Sequence, residues 1–147
     1  MSGSGRPAHD VPMSGTEDKL GGIAARIAAL PERVGADPTL LRRGRHLTVI
    51  WELAVGDAVF LVRIVDGHVV SAQAGAVATP SADFAMIADA AIWRRLLAAE
   101  PPPGDHDFLA FVKRKELRIV GNLHPLMSHL LYFKGLLAAL RETEPAR

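Results

Sequence analysis

The chain has 147 residues, a formal net charge of +1 and no cysteine. This length is typical of one domain rather than two, and a hydrophobic content of 49% can supply a substantial core. Basic and acidic residues are mixed along the sequence, which argues against a nucleic-acid-binding protein with a basic stripe. The absence of cysteine excludes a disulfide scaffold, a thiolate zinc site and a thiol nucleophile.

Residues 1–15 are rich in Ser, Gly and Pro and contain no apolar run, so they predict a disordered tail rather than a secretory signal. No later segment reaches the ~20 apolar residues needed to span a bilayer. We therefore expect a soluble, cytoplasmic protein with a single folded domain over residues 16–143.

The first part of this domain carries helical signals. Glu17–Leu30 has apolar residues at a spacing of three to four, which predicts a helix that ends at Pro31. Asp37 and Pro38 then predict the start of a short helical turn, with Asp37 preceding the proline.

A hairpin is the clearest feature of the sequence. Apolar and other residues alternate over Leu47–Ala54 and again over Val59–Val65, and Gly56-Asp57 between them suits a two-residue type II′ turn. Such a turn fixes the register and places one apolar set on one face. The opposing pairs would be Leu53 and Phe60, Trp51 and Val62, and Val49 and Ile64. Glu52 and Arg63 would lie on the other face as diagonal neighbours, close enough for an ion pair.

A third strand, His68–Ala74, follows the type I′ turn signal Asp66-Gly67. A regular two-residue turn would place Ser71 and Gln73 on the same face as Trp51. Either these polar side chains find partners in a cavity, or the connection is longer by one residue and they point outward. The sequence leaves both readings open.

The remaining pattern predicts a fourth strand over Ala82–Asp89, a helix over Ala90–Ala99 and another helix capped by Asp105 or Asp107. A fifth strand over Leu117–Val120 and a terminal helix from His124 to Leu140 complete the chain. The predicted fold class is α+β: a five-stranded, mostly antiparallel sheet covered on one face by helices.

Three of these motifs, in this order, resemble the sterol carrier protein (type two) domain. They are the hairpin turn Val65-Asp66-Gly67-His68-Val69, the strand start Ala82-Asp83-Phe84, and the strand and glycine turn Leu117-Arg118-Ile119-Val120-Gly121-Asn122. The resemblance covers roughly Leu20–Leu140. The chain departs from the eukaryotic carriers in a longer connection, Glu100–Asp105, and in lacking a terminal Ser-Lys-Leu peroxisomal address. These departures favour a bacterial stand-alone member.

The resemblance implies an apolar tunnel between the sheet and the helices. The resemblance alone implies it, because a packed core and a lined cavity have the same hydrophobic periodicity. Its floor would come from the sheet and its lid from the helices and the fourth strand. The implied ligand-binding residues are Trp51, Leu53, Phe60, Val62, Ile64, Phe84, Ile92, Leu96, Phe108, Phe111, Leu126, Met127, Leu130, Phe133 and Leu137.

The function that follows is non-catalytic binding and carriage of a sterol, fatty acid, acyl chain or isoprenoid, with no cofactor and no nucleic acid. Transient membrane contact and a protein partner in a lipid or quinone pathway are compatible with this role. One alternative is an accessory or assembly factor that presents a lipid precursor to biosynthetic enzymes. Another is an enzyme acting on a bound polyketide or terpenoid, with Glu52, Asp83 or His129 as its acid or base. The six histidines are scattered, so we predict no metal site.

Overall fold

The computed structural model describes residues 22–75, 82–99 and 107–141. The predicted tail and the whole Glu100–Asp105 connection fall outside this range. The helices are α1 (Ile23–Ala28), α2 (Leu30–Gly35), α3 (Pro38–Arg43), α4 (Ala90–Leu96), α5 (Phe108–Lys113), α6 (His124–Ser128) and α7 (Leu130–Leu140). The strands are β1 (Val49–Val55), β2 (Ala58–Val65), β3 (His68–Ala74), β4 (Phe84–Ala88) and β5 (Arg118–Gly121).

The five strands form one sheet in the order β3-β2-β1-β4-β5. β1 is antiparallel to β2 and parallel to β4, so the sheet is mixed but mostly antiparallel, as predicted. The predicted hairpin register is confirmed, with Trp51 opposite Val62. Gly56 has a φ of 62° at the first turn position, and the Asp66-Gly67 turn has φ values of 50° and 82°. Each turn thus has the positive φ angles that its type requires.

Glu52 and Arg63 form no ion pair with each other within the described part of the chain. Glu52 lies opposite Leu61 and Arg63 lies opposite Ile50, so the two charged residues are diagonal neighbours. The predicted diagonal placement is therefore confirmed, but the two side chains do not meet.

A β-bulge answers the question that the sequence left open for β3. Val69 lies opposite Ile64, but Ser71 lies opposite Arg63, so Val70 is an extra residue in β3. The bulge moves Ser71 and Gln73 to the outer face and leaves Ala72 opposite Val62 on the face of Trp51. The inner face therefore stays apolar along this strand.

The helical layer differs from the sequence prediction at two breaks. Pro31 was expected to end the first helix, but it lies in the first turn of α2, a position where a missing N–H is tolerated. The terminal helix was expected to be continuous, but His129, with φ −128° and ψ 44°, divides it into α6 and α7. No helix in the described ranges is long and apolar enough to cross a membrane.

The helices cover the inner face of the sheet, where α1 and α2 contact β3 and α7. Asp37 caps α3, and its carboxylate accepts a hydrogen bond from the Leu40 N–H at 3.1 Å. One continuous core joins the sheet and the helices. This arrangement places α7 across the middle of the sheet, next to the predicted site.

Candidate ligand-binding site

The centre of the inner face is Trp51, on the central strand β1. Its indole is fully buried and meets the Phe133 ring of α7 edge to face, with ring centroids 5.6 Å apart. Phe133 also contacts Phe84 of β4, at 5.3 Å between ring centroids. At this point the helix and the sheet touch directly through an aromatic cluster.

The indole N–H of Trp51 has no hydrogen-bond acceptor, although the atom is buried. Leaving a buried donor unpaired costs about 1–3 kcal/mol, so such groups are rare in a completed core. The other tryptophan, Trp93, is equally buried, but its N–H donates to the Ala54 carbonyl at 2.9 Å. Trp51 is therefore a polar group without a partner at the centre of an apolar surface.

A depression of about 310 Å³ opens where α4, α5 and α7 meet. Its apolar lining comes from Leu96, Phe108 and Leu137. Its volume is at the lower end of the range for small-molecule sites, about 300–1,000 Å³.

Charged side chains form the rim of this depression. Asp107 caps α5 by accepting a hydrogen bond from the Leu109 N–H at 3.0 Å, and its other carboxylate oxygen pairs with Lys134 at 3.0 Å. Arg141 also lines the depression and donates to the Leu96 carbonyl at 3.4 Å. An apolar lining with a charged rim suits a ligand with a greasy body and a polar end.

Helix α7 connects the aromatic cluster to the depression. Phe133 and Leu137 are four residues apart, so they lie one above the other on the same face of α7. Phe133 reaches Trp51, whereas Leu137 lines the depression. The two features are parts of one apolar strip.

Most of the residues implied by the resemblance are buried in this interior. Ile92 and Leu130 are half-buried. The buried members are Trp51, Leu53, Phe60, Val62, Ile64, Phe84, Leu96, Phe108, Phe111, Leu126, Phe133 and Leu137. Three of them (Leu96, Phe108 and Leu137) meet in the depression.

Met127 is placed differently from the expectation. It was expected to contribute to the lid, but its side chain is 56% exposed and lies on the outer surface of α6. The helical period is the physical reason: Leu126, the preceding residue, is buried, so Met127 lies about 100° further around α6, on the same outer side as the exposed Leu131.

The three candidate acid–base residues do not converge on the interior. Glu52 lies on the outer face of the sheet, opposite Leu61, so it does not reach a ligand held at Trp51. Asp83 is exposed, and its carboxylate accepts a hydrogen bond from the Ile50 N–H at 2.8 Å. His129 is half-buried between α6 and α7, with its Nδ1 atom unpartnered. Within residues 22–75, 82–99 and 107–141, no group of three or more His, Asp or Glu could hold a metal ion.

Sequence reasoning missed Tyr132 as part of this site. Its hydroxyl donates to the Gly67 carbonyl at 2.6 Å, and burial raises the pKa of the phenol above its ordinary range. No sequence signal identifies it, because its partner Gly44 is distant in the chain and only the structure shows that a Cβ atom there would collide with the tyrosine ring. A glycine there lets α3 and the β2–β3 turn approach α7.

Solved structures share this fold at low sequence identity. Sterol carrier protein 2 superposes with a TM-score of 0.60 and 18% identity, over 86% of this chain and 96% of that chain. A UbiJ-SCP2 ubiquinone synthesis protein gives 0.53 and 15%, over 86% and 99%. The sec-alkylsulfatase Pisa1 from Pseudomonas sp. gives 0.50 and 13%, over 80% of this chain and 16% of that chain.

Further matches include sterol carrier proteins from Yarrowia lipolytica and Helicoverpa armigera. No protein-family model matches the sequence, and no curated protein matches it. The identities are low, so the likeness establishes the fold, which is that of sterol carrier protein 2.

Proposed function

We propose that this chain, which has the sterol carrier protein fold, binds a hydrophobic ligand between its sheet and its helices and carries it without chemical change. The ligand class is a sterol, fatty acid, acyl chain or isoprenoid with an oxygen-bearing end. The binding unit spans residues 16–143, and its ligand contacts come from the buried residues of the apolar strip.

The unpartnered N–H of Trp51 is the observation that carries this proposal. The inner face around it is apolar, so the protein supplies no acceptor for a fully buried donor. A ligand oxygen placed against the indole would satisfy the donor, whereas a hydrocarbon would not. A hydrogen bond to a neutral group adds about 0.5–1.5 kcal/mol, and each buried methylene adds about 0.8 kcal/mol. The hydrocarbon body of the ligand thus supplies most of the affinity, and the indole N–H supplies a preference for ligands that carry an oxygen atom.

The depression between α4, α5 and α7 is the proposed opening for the ligand. Its apolar lining leads along α7 from Leu137 to Phe133, in the direction of Trp51. Because Phe133 contacts Trp51 in the described structure, the ligand must displace this ring on binding. A ring flip or a small shift of α7 is the conformational change expected.

Native mass spectrometry of the purified chain, followed by lipid extraction, tests the proposal directly. We expect a bound lipid with at least one hydroxyl, carbonyl or carboxyl group. A protein that is ligand-free as purified and that takes up neither oleate nor cholesterol from solution would overturn the proposal.

The matched pair Trp51→Phe and Trp93→Phe locates the site. We expect Trp51→Phe to weaken oleate binding by about tenfold, because the indole hydrogen bond is lost. Trp93→Phe removes an indole whose N–H already has a protein partner, so oleate affinity should change little. Equal losses in both variants would contradict a role of Trp51 in ligand recognition.

A second candidate function is that of an accessory factor presenting a lipid precursor to biosynthetic enzymes. The similarity that favours it is the UbiJ-SCP2 ubiquinone synthesis protein, of which this chain covers 99%. Affinity purification of the tagged chain from its own cell, with mass spectrometry of the recovered proteins, tests this candidate. Recovery of an enzyme of lipid or quinone synthesis would favour it over free carriage.

A further inference from the structure

Three large apolar side chains on the α6–α7 segment are turned toward solvent. Leu123, Met127 and Leu131 are 40%, 56% and 60% exposed, respectively. We call this set the apolar ridge. Their exposure is costly in water unless another apolar phase covers them, and an exposed apolar cluster commonly marks an interaction site.

The ridge is one surface and not three isolated side chains. The Met127 N–H donates to the Leu123 carbonyl at 2.9 Å, so these residues are one helical turn apart on the same side. Met127 and Leu131 both line a single surface depression of about 330 Å³. Leu123, Met127 and Leu131 are spaced by four residues, so they stay on one side across the break at His129.

Arginines stand beside this ridge. Arg43 lines the same depression as Met127 and Leu131, and Arg42 and Arg45 flank it in the chain. In the described part of the protein, these three exposed arginines have no ion-pair partner. Gly44, between Arg43 and Arg45, leaves no room for a Cβ atom against the Tyr132 ring, so this part of the backbone lies close to α7.

The two segments that form this surface carry no acidic residue. Neither 38–51 nor 117–140 contains Asp or Glu. Asp66, in the β2–β3 turn, accepts a hydrogen bond from the His46 N–H at 2.6 Å. The surface is therefore apolar and cationic, with no carboxylate in either segment to neutralise it.

We infer that the apolar ridge and the adjoining arginines, Arg42, Arg43 and Arg45, dock this protein on the surface of an anionic lipid bilayer. Leucine and methionine side chains insert among the acyl chains, while arginines stay hydrated and meet lipid phosphates. A dry protein interface fits less well, because removing the arginines from water there has a desolvation free energy that can exceed the favourable Coulomb energy with a partner.

The position of the ridge gives docking a purpose. Leu131 and Lys134 are three residues apart and are neighbours on the surface of α7, and Lys134 belongs to the rim of the proposed ligand opening. A docked molecule would hold that opening beside the bilayer, so ligand could exchange without crossing water. This role in ligand exchange rests on the proposed function, whereas binding of the protein to vesicles is measured without any ligand transfer.

Co-sedimentation with vesicles tests the inference. Vesicles of phosphatidylcholine alone are compared with vesicles that also contain phosphatidylglycerol, at low and high salt. The wild-type chain should bind the anionic vesicles preferentially, and added salt should weaken binding. Each of Arg43→Gln and Arg45→Gln should lower the partition constant about fivefold. The double variant Met127→Ser/Leu131→Ser should lower it at least about tenfold.

Matched controls come from the sheet. Val70→Ser changes an apolar side chain that is 54% exposed on β3, and Arg63→Gln changes an exposed arginine on β2. Both should bind vesicles as the wild type does, and Arg43→Lys should restore the loss seen in Arg43→Gln. Unchanged binding of the ridge variants, or equal losses in the controls, would overturn the inference.

Two further readouts separate this inference from the proposed function. Circular dichroism should show the wild-type fold in every variant, since all of the changed side chains are exposed. Native mass spectrometry should show the same bound ligand in the ridge variants as in the wild type. If the wild-type chain carries lipid but binds neither vesicle type, bilayer docking is refuted and the carrier role is not. The ridge would then be a surface for a protein partner. A wild-type chain that docks but never holds lipid would refute the carrier role alone.

Discussion

The surroundings of the two tryptophans differ although both side chains are fully buried. Trp93 on α4 donates its N–H to the Ala54 carbonyl of β1, so the protein completes that region by itself. Trp51 on the inner face of β1 meets the rings of α7 and finds no acceptor for the same group. Burial is the same at the two tryptophans, and the hydrogen-bonding state of the indole N–H separates them. The proposed ligand site rests on that difference.

The largest effect is expected on the Trp51 side, where Phe133 joins the helix to the sheet. Phe133→Ala removes a fully buried ring that contacts Trp51, Phe84 and Tyr132. We expect the free energy of unfolding to fall by about 3–5 kcal/mol, as measured by urea denaturation of the lipid-free protein.

Leu131→Ala is the control for this variant, because Leu131 lies on the same helix but is 60% exposed. Its effect should stay within about 0.5 kcal/mol. If Phe133→Ala had an equally small effect, the ring would not support the folded state, and the aromatic cluster would not be a structural contact.

The second prediction breaks the comparison between the tryptophans directly. Trp93→Phe leaves the Ala54 carbonyl without its donor, whereas Trp51→Phe removes a donor that was already unpaired. In lipid-free protein, Trp93→Phe should therefore destabilise by about 1–3 kcal/mol more than Trp51→Phe. Denaturant unfolding of both variants measures the difference, and equal losses would mean that Trp51 has an acceptor in solution.

Much of the sheet could be predicted from the sequence, because its turns are specified locally. Gly56-Asp57 and Asp66-Gly67 supply the positive φ angles, and the alternation around Trp51 then allows only one register. The bulge at Val70 could not be predicted, because an extra residue in a strand changes no local sequence signal. That residue determines which side chains of β3 lie on the inner face of the sheet.

The helical layer was harder to predict, because its breaks depend on tertiary contacts. No glycine or proline marks the division at His129, and Met127 and Leu130 are both apolar although one is exposed and the other half-buried. The unpartnered N–H of Trp51 was also beyond sequence reasoning, since it depends on which groups face the indole across the interior.

Tyr132 extends the comparison to a polar group beside the aromatic cluster that does have a partner. Tyr132→Phe removes the hydrogen bond to the Gly67 carbonyl and should destabilise by about 1 kcal/mol at neutral pH. Burial raises the pKa of the folded-state phenol above its ordinary value of 10.0. The unfolded chain therefore loses the proton first, and the stabilisation that is complete below about pH 10 is lost as pH rises further. In thermal unfolding at alkaline pH, the thermal midpoint of the wild type should fall more steeply with rising pH than that of Tyr132→Phe.

The smallest effect is expected at the surface on the Trp93 side, where Arg95 of α4 reaches Glu116. Arg114 donates to the Glu116 carboxylate at 2.8 Å and Arg95 does so at 3.3 Å, and these hydrogen bonds lower the pKa of Glu116 below its ordinary value of 4.5. Because the folded-state pKa is the lower of the two, the stabilisation is fully present above the unfolded-state pKa and is lost as pH falls through the folded-state pKa. Between neutral pH and about pH 3, the wild type should therefore lose slightly more of its thermal midpoint than Glu116→Gln, whose side chain does not titrate. Identical acid profiles would show that the two arginines gain nothing from the carboxylate, as happens with many exposed ion pairs.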